Sequence, residues 1–191
     1  MQHQDTVRRN GPETTDMSNA ANHKAHHARI QVRMMQTEAD VDATWPLMLA
    51  MHNESRFAAY RPNKSYWIEY LREHGLGDPN RYGMILAEVR GEPVGFLGCA
   101  VSRMLYCEER MASNLVFYVT RECRKSLLGG RVALKLLEAY RRWAQNRRAV
   151  ELHVHVTAGM EIARADKFLR RAGFRQIGGN YLAMLPVDGA S

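Results

Sequence analysis

The sequence predicts an α/β domain built on a mixed, mostly antiparallel central sheet with one parallel strand pair, flanked by helices. Three observations predict it. Two strand-like runs, 82–89 and 93–102, are separated by Arg90, Gly91 and Glu92, which is a hairpin signal. The apolar run Leu115 to Val119, the amphipathic stretch Gly130 to Arg147 and the alternating run Ala149 to Thr157 follow as strand, helix and strand, so the two strands are expected to be parallel neighbours. Two helical stretches before the hairpin and one after the parallel pair supply cover for the sheet.

Taken in order, residues 1–29 are polar and have almost nothing to bury, so they are expected to form a disordered tail ahead of a domain spanning 30–191. Met17 is an alternative start within that tail. Its HKAHH run (23–27) lacks a carboxylate or Cys to complete a site, and no metal is expected. IQVRMMQ (30–36) alternates as a strand, and TEAD (37–40) resembles a helix N-cap with acids in the first turn. Pro46 predicts a kink or a fresh helical start before LMLAMHNES. A second helix fits Lys64 to His74, with Tyr66, Trp67, Tyr70 and Leu71 on one face and Gly75 and Gly77 ending it. Gly95 and Gly98 in the second hairpin strand indicate a bulge or a close backbone approach.

The helix Gly130 to Arg147 carries Ala133, Leu136, Leu137, Tyr140, Trp143 and Ala144 on one stripe and charged residues opposite, so one side packs on a sheet. A last helix holds Ile162, Ala165, Phe168, Leu169 and Ala172, closed by Gly173. Tyr181 to Leu185 predicts a final strand.

Composition narrows the class. A chain of 191 residues with 46% hydrophobic content is long enough for a sizeable single core. No apolar run approaches the roughly 20 residues of a membrane span, and no apolar stretch follows Arg8 and Arg9 as in a secretory signal. Cys99, Cys107 and Cys123 are odd in number and lack C-x-x-C spacing, which favours free thiols in a reducing cytoplasm. The formal charge of +7 is uneven: residues 121–175 hold fourteen Lys/Arg against five acids, a net of +9. Such a field attracts an anionic cofactor, nucleic acid or an acidic protein surface. Nucleic acid is the less favoured, because these cations lie on helices with core stripes and no aromatic platform beside them.

The chemistry concentrates in NLVFYVTRECRKSLLGGR (114–131), a buried strand running through a basic turn into a helix that opens at paired glycines. Backbone N–H groups, a helix N-terminus and the cations Arg124, Lys125 and Arg131 meet there, a ready site for a pyrophosphate. FYVTRECRKSLLGGRVAL (117–134) is similar to the most specific stretch of the Gcn5-related N-acetyltransferase (GNAT) family, with Arg124 at the first and Gly129 at the last position of its Arg/Gln-x-x-Gly-x-Gly/Ala loop. GEPVGF (91–96) and FLRRAGF (168–174) are further family-like features, and the resemblance covers Ile30 to Leu185, nearest to small phage and prophage members.

The resemblance implies a GNAT fold with a splayed parallel strand pair, acetyl-CoA as acyl donor, and direct transfer of the acetyl group to an amine acceptor, either a small molecule or a protein. It implies pantetheine binding along Phe117, Tyr118 and Val119, and phosphate binding by Arg124, Lys125, Ser126, Leu127, Leu128, Gly129, Gly130 and Arg131. It also implies that a homodimer is common among relatives. Lys125 and Leu127 stand where glycines are common, Arg121 where a proline is usual, Ile162 where an Asn is frequent, and Leu169 where many members carry the Tyr that protonates the departing thiolate.

Attack of a neutral amine on a thioester needs a proton acceptor and an oxyanion donor. On the strand 149–157, Glu151, His153 and His155 share one face, and His155 is the candidate relay. Glu54, in the HNES segment, and Tyr181, after the last helix, are the other catalytic candidates. Asn114 lies where some relatives carry a carboxylate, and an amide cannot act as a base. Two other readings stay open: a catalytically silent acyl-CoA-binding interaction protein, suggested by Leu169 and Ile162, and a basic nucleic-acid-associated protein.

Overall fold

The computed structural model describes residues 29–184. The expected tail, apart from Arg29, and Leu185 at the end of the expected last strand lie outside the described residues. The elements run β1 (Ile30–Met34), α1 (Glu38–Glu54), α2 (Lys64–Tyr70), β2 (Tyr82–Val89), β3 (Glu92–Arg103), β4 (Arg110–Val119), α3 (Arg121–Arg124), α4 (Leu127–Asn146), β5 (Ala149–His153) and α5 (Ile162–Arg171). The sheet has the order β1-β2-β3-β4-β5, antiparallel throughout except for the parallel pair β4–β5.

Local chemistry sets the boundaries. The Thr37 hydroxyl accepts from the Asp40 N–H at 3.2 Å and an Asp40 carboxylate oxygen accepts from the Thr37 N–H at 3.0 Å, so the anticipated cap is a complete capping box. Pro46, expected to kink or restart the helix, instead lies inside one continuous α1. It is exposed, as is Asp42 one turn earlier, whose carbonyl loses its helical donor to Pro46 where water can replace it. The second helix also differs: after Tyr70 the chain widens into a π turn (Leu71–Leu76), with the Gly77 N–H reaching the Arg72 carbonyl at 2.9 Å. Its buried side is formed by Ile68 and Leu71, whereas Tyr66 is exposed.

The β2–β3 loop shortens from the expected three residues to Arg90 and Gly91, both at positive φ (56° and 83°), as a two-residue primed turn requires. Gly95 and Gly98 do sit beside bulges, which leave Val94 and Leu115 unpaired. A Cβ on Gly95 would lie 2.8 Å from the Tyr118 carbonyl oxygen, so the close approach is real.

Two apolar layers cover the two faces. Ile85, Ala87, Leu97 and Cys99 pack with Val132, Leu136, Tyr140 and Trp143 of α4, while Met84, Leu86 and Phe96 pack with Val41, Leu47 and Met51 of α1 and with Ile68 of α2. The bulge at Leu115 reverses the alternation of β4: Ala112 faces α4, but Val116 and Tyr118 face α1, and Phe117 and Val119 return to the α4 side.

Two strand expectations are corrected. The run 149–157 is a strand only to His153, because β4 leaves it there. Tyr181 to Met184 form no strand, and their side chains are exposed.

Candidate functional site

The site begins where β4 and β5 part. Their ladder pairs Arg110 with Ala149 and ends at Ser113 with His153, although β4 continues to Val119. At the parting point the buried Asn114 side chain replaces the backbone ladder. Its Oδ1 accepts from the His155 N–H at 2.5 Å and its Nδ2 donates to the His155 carbonyl at 3.3 Å. One side-chain amide thus holds β5 a side-chain length from β4 and keeps both His155 backbone groups bonded. The remaining edge of β4 then borders a cleft instead of a strand.

That cleft is a cavity of about 240 Å³. Its wall includes Ala133, Phe168 and Leu169 from the α4 and α5 side and Met51, Phe57 and Met160 from the α1 side, so it passes through the sheet at the splay. Phe117, Tyr118, Val119, Arg124, Gly129 and Gly130 line it, as do Asn114 and His155. Lys125, Ser126, Leu127, Leu128 and Arg131 stand on the adjoining turn outside that wall.

The turn departs from the sequence expectation in two respects. The helix opens at Leu127 and not at the paired glycines, and the preceding residues form the short α3. Accordingly the N–H groups of Lys125, Ser126 and Gly129 already donate to the carbonyls of Arg121, Cys123 and Ser126. Ser126 holds the N-cap position, yet its hydroxyl donates backward to the Cys123 carbonyl at 3.0 Å, so the first turn of α4 receives no side-chain cap. A Cβ on Gly129 would lie 2.5 Å from the Cys123 carbonyl oxygen, which makes glycine obligatory for packing α3 on α4. Gly130 meets nothing within 4 Å; the space beside it is open.

Arg124, expected to offer its charge to phosphates, lines the cavity with most of its guanidinium engaged within the protein. Its guanidinium ion-pairs with Glu54, donates to the Val119 carbonyl at 2.6 Å and lies 5.3 Å from the centre of the Tyr118 ring. The Tyr118 hydroxyl donates to the other Glu54 oxygen at 2.6 Å. Burial alone would raise the Glu54 pKa, but the Tyr118 hydroxyl, Arg124 and Arg121 outweigh it and hold the carboxyl below the ordinary glutamate value. Burial and the Glu54 carboxylate push the Tyr118 phenol up. The buried Arg124 Nε–H has no hydrogen-bond partner, a condition it shares with the Trp143 indole N–H among the described residues.

His155 lies on the wall and His153 beside it, ring centres 6.2 Å apart, with His153 Nε2 2.8 Å from Glu151. Tyr181 is 99% exposed and takes no part in the cavity wall, so the structure does not bring it to the site. Leu169 is in the wall and presents an alkyl group there. Arg164 escaped the sequence reading. It lines the cavity, donates to the Arg124 carbonyl at 2.6 Å and pairs with Glu161 at 3.1 Å, but one Arg among many on a basic helix carries no sequence signal. The identity of Asn114 tells that it cannot act as a base but does not announce a strand clamp.

The profile of the acetyltransferase (GNAT) family matches residues 45–174. The chain belongs to this family. Acetyl transfer from acetyl-CoA to an amine is therefore its activity, and the observed mixed sheet with its parallel pair is the GNAT-like fold. A ribosomal-protein-alanine N-acetyltransferase from Brucella melitensis biovar Abortus 2308 superposes with a TM-score of 0.61 at 20% identity, covering 83% of this chain and 100% of that one. Aminoglycoside N-acetyltransferase AAC(6')-Iy, solved with CoA, gives a TM-score of 0.62 at 15% identity, covering 84% and 97%. A transcriptional regulator from Bacillus halodurans C-125 gives 0.66 at 15%, covering 82% and 100%. A search of curated proteins finds no match. Among the described residues no helix is long and apolar enough to cross a membrane, and no cluster suits a metal ion.

Proposed function

We propose that this GNAT acetyltransferase binds acetyl-CoA in the wedge between β4 and β5 and acetylates an amine that arrives from the α1 side of the sheet. The observation that carries the proposal is the parting of the parallel pair after Ser113 and His153, bridged by Asn114. The freed edge at Phe117, Tyr118 and Val119 suits the amides of a pantetheine arm, laid down as an extra strand. The uncapped first turn of α4, open at Gly130, suits the pyrophosphate. Lys125 and Arg131, exposed on the same turn, add positive charge, and the buried Arg124 Nε–H is a donor in want of an acceptor.

In the transfer, the amine nitrogen bonds to the acetyl carbon, the carbon–sulfur bond breaks and CoA departs as thiolate. His155 takes the proton the amine loses, directly or through a water, since its imidazole stands on the cavity wall and a neutral imidazole nitrogen can accept a proton. Glu54 acts instead as a positioning residue: its low pKa and its two partners make it a weak base and a good anchor for Tyr118 and Arg124. With Leu169 in the wall, solvent protonates the departing thiolate. The finer likeness to phage-type members, a cytoplasmic setting and a homodimer rest on the sequence resemblance and the composition.

Titration calorimetry with acetyl-CoA and desulfo-CoA tests the reading. Binding of both is expected, and binding of neither removes it. Thiol release in the presence of amines then separates an active enzyme from a silent acyl-CoA-binding protein.

A further inference from the structure

We infer that the acceptor is a monoamine carried on an apolar body, and not a polycation. The inference rests on the cavity reading given above and concerns its second mouth. If the phosphates lie at the Gly129–Gly130 turn, on the α4 side, the acceptor reaches the thioester past Met51, Phe57 and Met160. Those three side chains present hydrocarbon, thioether and an aromatic ring, and offer an ammonium group no anion and only weak acceptors.

The carboxylate in the cavity wall, Glu161, and the one bonded to wall residues, Glu54, are already engaged. Glu54 accepts from Tyr118 and pairs with Arg124, and Glu161 in the cavity wall pairs with Arg164. A second or third ammonium on the acceptor would therefore lose its water without gaining an anion. At the same rim the exposed Arg56 is fixed by its Nε–H to the Thr157 carbonyl at 2.7 Å and lies 4.2 Å from the centre of the Phe57 ring. Its charge repels further cations.

The same surroundings help a lone amine. Entering an apolar passage beside Arg56 disfavours the charged form of the ammonium twice, by desolvation and by like charge, so the neutral nucleophile is populated at lower pH. The proton is given up on the way in, and what remains is an alkyl or aryl body for Phe57 and Met160 to cover.

The test measures thiol release from acetyl-CoA with 2-phenylethylamine, hexylamine, a peptide with Met at a free N-terminus, spermidine and sisomicin. The expected result is a kcat/KM at least tenfold higher for the monoamines than for spermidine and sisomicin, and the peptide arm distinguishes a protein N-terminus from a small amine. The Phe57→Asp protein should raise KM for 2-phenylethylamine at least tenfold with KM for acetyl-CoA unchanged, and Arg56→Glu should narrow the gap to the polycations. Equal or better turnover of spermidine or sisomicin overturns the inference. If no amine is turned over, calorimetric titration of 2-phenylethylamine and spermidine into the CoA-loaded protein decides: tighter 2-phenylethylamine supports it, and tighter spermidine or no binding overturns it. Failure of acetyl-CoA itself to bind is a different result, which removes the cavity reading and the acceptor assignment together.

Discussion

His155 and Glu54 show how two residues proposed for one task separate once their partners are known. The imidazole stands on the cavity wall, with its backbone fixed by Asn114 and its ring beside His153. Replacing it with alanine should lower kcat by about 10²-fold or more, the size of a lost proton acceptor, while the dissociation constant for acetyl-CoA measured by calorimetry stays within a few-fold. Glu54→Gln belongs to stability. The carboxylate titrates below its unfolded value, so the stabilisation it supplies is complete above the unfolded pKa of about 4.3 and is lost as pH falls further. Urea unfolding at pH 7 should show the glutamine protein less stable by about 1–2 kcal/mol, with the gap closing below about pH 4. A gap that persists unchanged in acid would mean that the lost contact is not ionic. Asp40, which Arg33 together with the Gln36 N–H and the capping box holds far below the ordinary aspartate value against the opposing effect of burial, acts with the same sign and steepens acid unfolding further.

At the level of elements, the turn between β4 and α4 and the clamp between β4 and β5 each invite a test. Gly129 and Gly130 are neighbours with opposite reasons for being glycine: packing excludes any side chain at the first, while the second faces open space. Gly130→Ala should therefore stabilise the free protein by about 0.5–1 kcal/mol through helix propensity, yet weaken acetyl-CoA if its phosphates occupy that space. Thermal melting and calorimetry on one variant read both effects. Asn114→Asp probes the clamp by pH. An ionised Asp can accept from the His155 N–H but repels the His155 carbonyl, whereas its protonated form is both donor and acceptor, like the amide. Acetyl-CoA affinity of that variant should recover as pH falls toward 5, and a profile parallel to the native one would count against the clamp. The bulge at Leu115 belongs to the same scale: by reversing the alternation of β4 it turns Tyr118 toward Glu54 and Phe117 toward α4.

For the whole molecule, the charge of +7 is concentrated in 121–175, a stretch that includes the basic turn at the phosphate end of the proposed site, while Met51, Phe57 and Met160 line the other mouth. Affinity for acetyl-CoA should therefore fall as salt rises, and saturating ligand should raise the melting temperature, by about 2.7 kcal/mol of stabilisation at one hundred times the dissociation constant. Absence of both effects would speak against a charged ligand at this end. Most of the architecture was legible beforehand: the capping box, the hairpin, the stripe of α4 and the Gly173 cap, at φ 88°, are written in local patterns of one element each. The errors fell where distant segments decide. Pro46 stays in its helix because its side faces water, and Tyr181 to Met184 remain unpaired although their composition suits a strand. Arg124 turns inward because Glu54, seventy residues earlier, waits there. Local order thus fixed most of the elements and the basic strand-to-helix turn proposed to bind phosphate, since periodicity and turn chemistry act over a few residues. The family resemblance implied the wedge, but the point at which it opens, the Asn114 clamp, the Glu54–Arg124–Tyr118 cluster and the character of the two mouths came only with tertiary structure, because each depends on groups brought together by the sheet across long stretches of chain.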